Sequence, residues 1–416
     1  MNLLLAAFLI LYALRSATQV FLNRLNIAYM RKQNQVTPDD FKDVVDEEKF
    51  KKISAYTIDS SRFGILSDLV DQGFFLFLLL SGILPWWAER LTGWGFGFIT
   101  GGLLFFAFLG LLPMFLDIPF SLYETFVIEN RYGFNTRTMK IWVTDLIKSL
   151  ILSTLLGGAL LLILLLFIAH GGKCWWLIAW MVVCLFELLI LWLYPVLLAP
   201  WFNKFEPLEN QALVQRISEL MAKVGLKSGG VFRMDASRRS KHTNAYFTGL
   251  GKSKRIVLFD TLLASHTEEE ILAILAHELG HWKKKHILKQ IILFTSLSLV
   301  GFFVVAQLLD METIYRPFGF SQPMPYVGLF LIAALFSPPL FFAQPLAAAF
   351  SRRLEREADD YAVELAHSSG PMIHSLKRLA ADNLSNLTPH PIYVWFYYSH
   401  PPLGERVARL REKKKS

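Results

Sequence analysis

His277 and His281 stand four residues apart, and Glu278 directly follows the first of them. On a helix that spacing projects both imidazoles from one side. Two such nitrogens can share one zinc ion at about 2.0–2.1 Å. Glu278 would reach the water of such a site without being a ligand, the HExxH arrangement of zinc hydrolases. The chemistry this suggests is hydrolysis by metal-activated water.

The element that must carry these residues is legible around them. Thr267 and Glu270 have capping-box spacing. Glu268, Glu269 and Glu270 place acid in the first turn, where the helix dipole favours it. Ile271, Leu275 and Leu279 recur every four residues, so the segment is predicted as a helix with one apolar face.

Two imidazoles do not complete a catalytic zinc site; a third protein ligand and an open position are needed. The best donors lie in Ser351–Ala362, where Glu355 and Asp359 share a helix face. A cation would relieve the repulsion between them. Asp359 could instead accept the second ring N–H of a ligating histidine. Spacing alone leaves Glu355, Glu357 and Glu364 open as the third ligand.

The rest of the chain must hold these pieces at a membrane. Of 416 residues, 54% are hydrophobic and only 18% charged, against about 25% charged in a soluble domain. Mean hydropathy is +0.39. These values exclude a disordered chain and a soluble cytosolic enzyme. Seven near-uncharged runs, near 2–22, 64–84, 96–116, 147–169, 175–198, 288–309 and 326–348, are long enough to span a bilayer. Arg15 interrupts the first run instead of preceding it, so the run is expected to be a retained span and not a cleaved signal. Pro338, Pro339 and Pro345 are expected to kink the seventh.

Basic residues set the orientation. The 23–63 loop holds eight of them, while Arg90, Lys173 and Arg316 stand alone in alternate loops. The N-terminus is therefore expected outside, with 199–287 and 351–416 on the cytoplasmic side. Residues 1–198 form an expected five-span region and 199–287 the metal-binding loop. Residues 288–350 carry spans six and seven, and 351–416 the third ligand. The net charge of +8 is explained by anionic lipid headgroups and calls for no nucleic acid. The end of the chain, through Lys413-Lys414-Lys415-Ser416, reads as a solvated tail. Cys174 and Cys184 sit ten helical residues apart, about 15 Å, too far for a disulfide. Asp68, Asp71, Asp117 and Glu187 lie in or near spans, either bonded between helices or facing a wet cavity.

At this point the residues resemble the integral-membrane type I CAAX prenyl endopeptidases, zinc metalloproteases of the gluzincin kind. Five blocks carry the resemblance: Ser237–Phe247, Lys254–Leu263, His277–Trp282, Ser351–Ala362 and Tyr398–Arg406. It implies zinc ligands His277, His281 and Glu355, with Glu278 as general base and Asp359 supporting a ligand histidine. It also implies that Asn244 and His400 flank the scissile carbonyl. The implied fold is mainly α and polytopic, with seven transmembrane helices around a water-filled chamber and a cytoplasmic-side metalloprotease subdomain holding a small strand element. Such a chamber would favour the cavity reading of Asp68, Asp71 and Glu187. The implied partners are a lipid bilayer and a prenylated or otherwise membrane-held peptide, bound by a monomer.

In this reading one Zn2+ per chain supplies an acidified water. Glu278 takes its proton and later passes it to the leaving amine. His400 and Asn244 donate to the developing oxyanion. The alternation around Tyr246 and Thr248 predicts a strand over 244–250 whose edge could pair with substrate. Arg406 could take a substrate carboxylate through a bidentate pair, or bind Glu405 or a headgroup. The short Ser265-His266-Thr267 turn makes the chain resemble bacterial members more than eukaryotic ones. The expected location is therefore a bacterial inner membrane, or the endoplasmic reticulum membrane in a eukaryote. A membrane-protein quality-control protease with no need for a prenyl group is the alternative function.

Overall fold

The computed structural model describes residues 2–33, 36–249 and 253–413. Leu250, at the end of the expected strand, and Lys414–Ser416 of the tail lie outside them.

Seven helices are long and apolar enough to cross a membrane. They are α1 (Leu3–Gln33), α2 (Glu47–Leu80), α4 (Phe98–Tyr132), α5 (Met139–His170), α6 (Gly172–Phe202), α10 (His286–Leu308) and α11 (Pro325–Ala366). A short helix, α3 (Ile83–Gly93), joins the second and third spans. Each apolar run expected from the sequence falls within or close to one of these helices, but most of the helices overshoot. Helix α2 begins at the Asp46 cap, whose side chain accepts from the Lys49 N–H. Helix α4 continues past the last apolar residues until Gly133 takes a left-handed φ of 86°. Apolar length measures the bilayer, whereas caps and glycines measure the helix.

The largest difference is at α11. It runs unbroken through Pro338, Pro339 and Pro345 and on through Glu355 and Asp359. The expected boundary between 350 and 351 thus falls inside one 42-residue helix. The seventh span delivers the carboxylates directly, with no loop between membrane and site.

The extramembrane elements between α6 and α10 form a small α/β layer. Helix α7 (Gln211–Lys223), the short α8 (Asp260–Ser265) and α9 (Glu268–Lys283) pack on a four-stranded sheet. Its strands are β1 (Phe205–Pro207), β2 (Lys227–Met234), β3 (Ala245–Thr248) and β4 (Ser253–Phe259), in the order β1-β2-β4-β3. Ile217, Ile256, Leu258, Leu262 and Leu275 are fully buried in its core. Strand β3 pairs antiparallel with β4 and leaves its other edge without a strand partner among the described residues.

Three further helices follow α11: α12 (Gly370–Asp382), α13 (Pro391–Tyr397) and α14 (Leu403–Lys413). Helices α12 and α14 pack with Phe41 of the α1–α2 loop, with Phe50 and Ile53 at the start of α2, and with Ile128 and Phe134, while α13 packs against α11 and α1. Lys377 reaches Asp43 at 2.8 Å, and Arg239 makes a two-pronged bond to Asp145 at 2.8 and 2.9 Å. These contacts tie the metal-binding layer to the membrane helices.

Helix α9 starts as its sequence predicts. The Thr267 hydroxyl accepts from the Glu270 N–H while the Glu270 carboxylate accepts from the Thr267 N–H. Thr267→Ala should lower stability by about 1 kcal/mol, read as a small drop in the thermal midpoint of detergent-purified protein.

Candidate metal centre

Helices α9 and α11 cross at Gly280 and Ala358. A Cβ at Gly280 would lie 2.9 Å from the Ala358 carbonyl oxygen and 3.0 Å from its Cα. Only glycine allows this approach, which brings Glu355, three residues before Ala358, over His277, three residues before Gly280, and His281, directly after it.

The three candidate ligands converge there. His277 Nε2 lies 3.1 Å from His281 Nε2. Glu355 Oε2 is 3.3 Å from His277 Nε2, and Glu355 Oε1 is 3.3 Å from His281 Nε2. Tetrahedral ligands at about 2.0–2.1 Å from a zinc ion stand about 3.3 Å apart, so these separations fit a single ion. Two further observations favour a cation at this point. Glu355 Oε2 is buried without a hydrogen-bond partner. Burial draws the His277 pKa down, yet the Asp359 and Glu355 carboxylates beside the ring lift it to about 9. A site that pulls a proton onto buried imidazole is built to hold positive charge.

The other face of His277 is also supported. Its Nδ1 lies 2.9 Å from Asp359 Oδ1. Asp359 in turn accepts from Arg406 Nη2 at 2.6 Å and Nε at 2.9 Å. Here the structure corrects the expectation for Arg406. The side chain is buried and commits its fork to Asp359, so it is not free to take a substrate carboxylate. Glu405, its other expected partner, binds Arg356 instead. The reason is register: Arg406 lies on the inward face of α14 with Val407 and Leu410, while Glu405 faces out. Arg406→Leu should cost about 3–5 kcal/mol by stranding the Asp359 charge, a loss to be measured by thermal unfolding in detergent.

Glu278 lies close enough to His277, His281 and Glu355 to feel their charges and makes no hydrogen bond of its own among the described residues. Burial raises its pKa above the ordinary carboxylate value, against the pull of His277 and His281. His400 arrives from the turn after α13, with Nε2 3.3 Å from Glu355 Oε1. Arg352 anchors that turn by donating to the Tyr398 carbonyl at 2.6 Å and the Val394 carbonyl at 3.2 Å.

Asn244 is exposed at the entry to β3, which packs beside α9. Its side-chain oxygen accepts from the Ala245 N–H at 2.8 Å. The preceding residue, Thr243, is held by Asn383, whose amide oxygen accepts from its N–H at 2.9 Å. Tyr246 is half-buried against Phe259, on the edge strand. The structure thus gathers Glu278 and His400 about the ligand trio and sets Asn244 and Tyr246 on the strand beside their helix. Arg352 and Asn383 were not anticipated from the sequence. Each acts through backbone groups or another side chain, and no spacing rule marks such a role.

A seven-span helical protein whose HExxH helix meets a carboxylate from its seventh span in a His-His-carboxylate cluster is, as a class, a membrane-embedded metallopeptidase. Comparison with known proteins narrows the class. Residues 26–204 match the family described as CAAX prenyl protease N-terminal, five membrane helices, and residues 207–414 match peptidase family M48. The chain is 35% identical to the CAAX prenyl protease 1 homolog of Arabidopsis thaliana, over 88% of each chain. It is 33% identical to CAAX prenyl protease 1 of Saccharomyces cerevisiae, covering 93% of this chain and 92% of the relative. A crystal structure of S. mikatae Ste24p superposes with a TM-score of 0.90 at 32% identity, over 97% of this chain and 98% of that one. The chain belongs to the CAAX prenyl protease family of M48 metallopeptidases.

Proposed function

We propose that this protein is a zinc endopeptidase that cuts near the C-terminus of prenylated, CAAX-type peptides at a membrane. The observation that carries the reading is the ligand trio with its 3.1–3.3 Å separations, placed at the base of a spanning helix. His277, His281 and Glu355 would hold one zinc ion, which would supply an acidified water and Lewis acidity at the scissile bond.

The remaining work falls to the chain. Glu278, unbonded and raised in pKa, accepts the proton of the attacking water and delivers it to the leaving amine. His400 and Asn244 donate to the oxyanion that develops as water adds. Asp359, neutralised by Arg406, holds His277 with its Nε2 toward the trio. The open edge of β3, with Tyr246, aligns an extended substrate by backbone pairing.

We place the active site on the cytoplasmic side, with the N-terminus outside and the protein a monomer. Asp71, Asp117 and Glu187 are exposed on span helices, and charged carboxylates against lipid are costly. They fit the wall of a water-filled chamber. The short 265–267 turn favours a bacterial inner membrane over endoplasmic reticulum.

The test uses detergent-purified protein, a farnesylated CAAX peptide and its unprenylated twin, with zinc measured alongside. Zinc-dependent release of the last three residues from the farnesylated peptide only is expected. Equal cutting of both peptides would instead indicate a quality-control protease. Bound zinc with neither peptide cut would remove the CAAX assignment.

A further inference from the structure

We propose that His286 is a positioning residue for the metal centre: it fixes the ring and tautomer of His281 and links it to Glu357. This rests on the metal reading above.

The proton assignment follows from geometry. His281 turns Nε2 toward His277 and Glu355, so that nitrogen presents its lone pair to the ion. Its Nδ1 must then carry the hydrogen. The partner of that N–H is His286 Nδ1 at 3.0 Å. His286 therefore accepts at Nδ1 and carries its own hydrogen on Nε2. That nitrogen faces Glu357 Oε2 at 3.2 Å. Glu357 is fixed from outside by Lys289 Nζ at 3.0 Å and Arg353 Nε at 3.2 Å. Each hydrogen in the series has one acceptor, and reversing any link leaves two N–H groups or two lone pairs face to face.

Burial and backbone agree with this role. His286 is only 1% exposed, and a buried imidazole needs partners for both nitrogens. It reaches His281 because Lys285, between α9 and α10, takes a left-handed φ of 56°. For a residue other than glycine that conformation is uncommon and unfavourable. The turn reverses the chain so that the first residue of α10 faces the last turn of α9. The two ligand histidines thus have separate supports. His277 rests on Asp359 and Arg406, and His281 rests on His286 and Glu357.

The test measures zinc affinity by chelator competition, and the visible spectrum of the cobalt-loaded form, on full-length protein. Variants are His286→Leu, His286→Asn and His286→Gln. His286→Leu should weaken zinc binding about 10- to 100-fold. His286→Asn places an amide oxygen near the lost Nδ1 and should recover most of the affinity and the wild-type cobalt spectrum. His286→Gln, of similar bulk but with its amide beyond that point, should not. Thermal midpoints of the metal-free proteins separate a folding defect from a metal effect. Unchanged affinity in His286→Leu would overturn the proposal, as would equal losses in Asn and Gln variants that fold. If wild type binds neither metal, the metal reading itself fails. If wild type binds and the variants bind equally, only the role of His286 falls.

Discussion

Glu278→Gln should lower kcat by about 10²- to 10⁴-fold while zinc content and thermal midpoint stay at wild-type values. The amide keeps the size of the carboxylate but cannot accept a proton. Glu278 makes no hydrogen bond to lose among the described residues, so its removal should not disturb the ligand trio. Its raised pKa follows from burial, and losing a buried charge should leave folding unharmed. Kinetics on a cleavable peptide, with zinc determined on the same sample, decide the matter. A variant that loses activity and zinc together would place Glu278 among the ligands or their supports. A variant with more than about a tenth of wild-type kcat would mean that the proton is taken elsewhere, since a general base contributes at least about 10²-fold.

Gly280→Ala should weaken zinc binding by about ten- to a hundredfold, although the residue touches no metal. The added Cβ would stand 2.9 Å from the Ala358 carbonyl oxygen and 3.0 Å from its Cα. Both are backbone atoms, so no rotamer change relieves the contact. The helices must separate, and overpacking of this kind costs about 1–3 kcal/mol. Metal sites tolerate errors of only about 0.2 Å in ligand distance. Separation would draw Glu355 on α11 away from His277 and His281 on α9. The distinguishing control is the double variant Gly280→Ala with Ala358→Gly. Trimming the Ala358 side chain leaves the clashing backbone in place, so the double variant should bind zinc no better than the single one. Recovery in the double variant would show that side-chain bulk, not backbone approach, sets the ligand spacing.

Much of this protein is legible in its sequence because the signals are local. Seven apolar runs predict seven spans, since backbone in lipid must satisfy its own hydrogen bonds and helices do so within each run. Thr267 and Glu270 mark a helix start three residues apart, and His277 and His281 share a face by the helical repeat alone. Glu278 needs no tertiary information to be singled out.

What the tertiary structure decided is which distant groups meet. Glu355, Glu357 and Glu364 are equivalent by spacing. Helix packing at Gly280 sends Glu355 to the histidines and turns Glu357 toward His286. Arg406 reads as a surface cation until α14 docks and buries it on Asp359. His286 lies five residues from His281, a separation that puts the two on different faces of a straight helix. Only the left-handed turn at Lys285 brings them to 3.0 Å. Periodicity reports the faces of single helices, whereas a site made where two helices cross depends on their distance and rotation, which no single segment encodes.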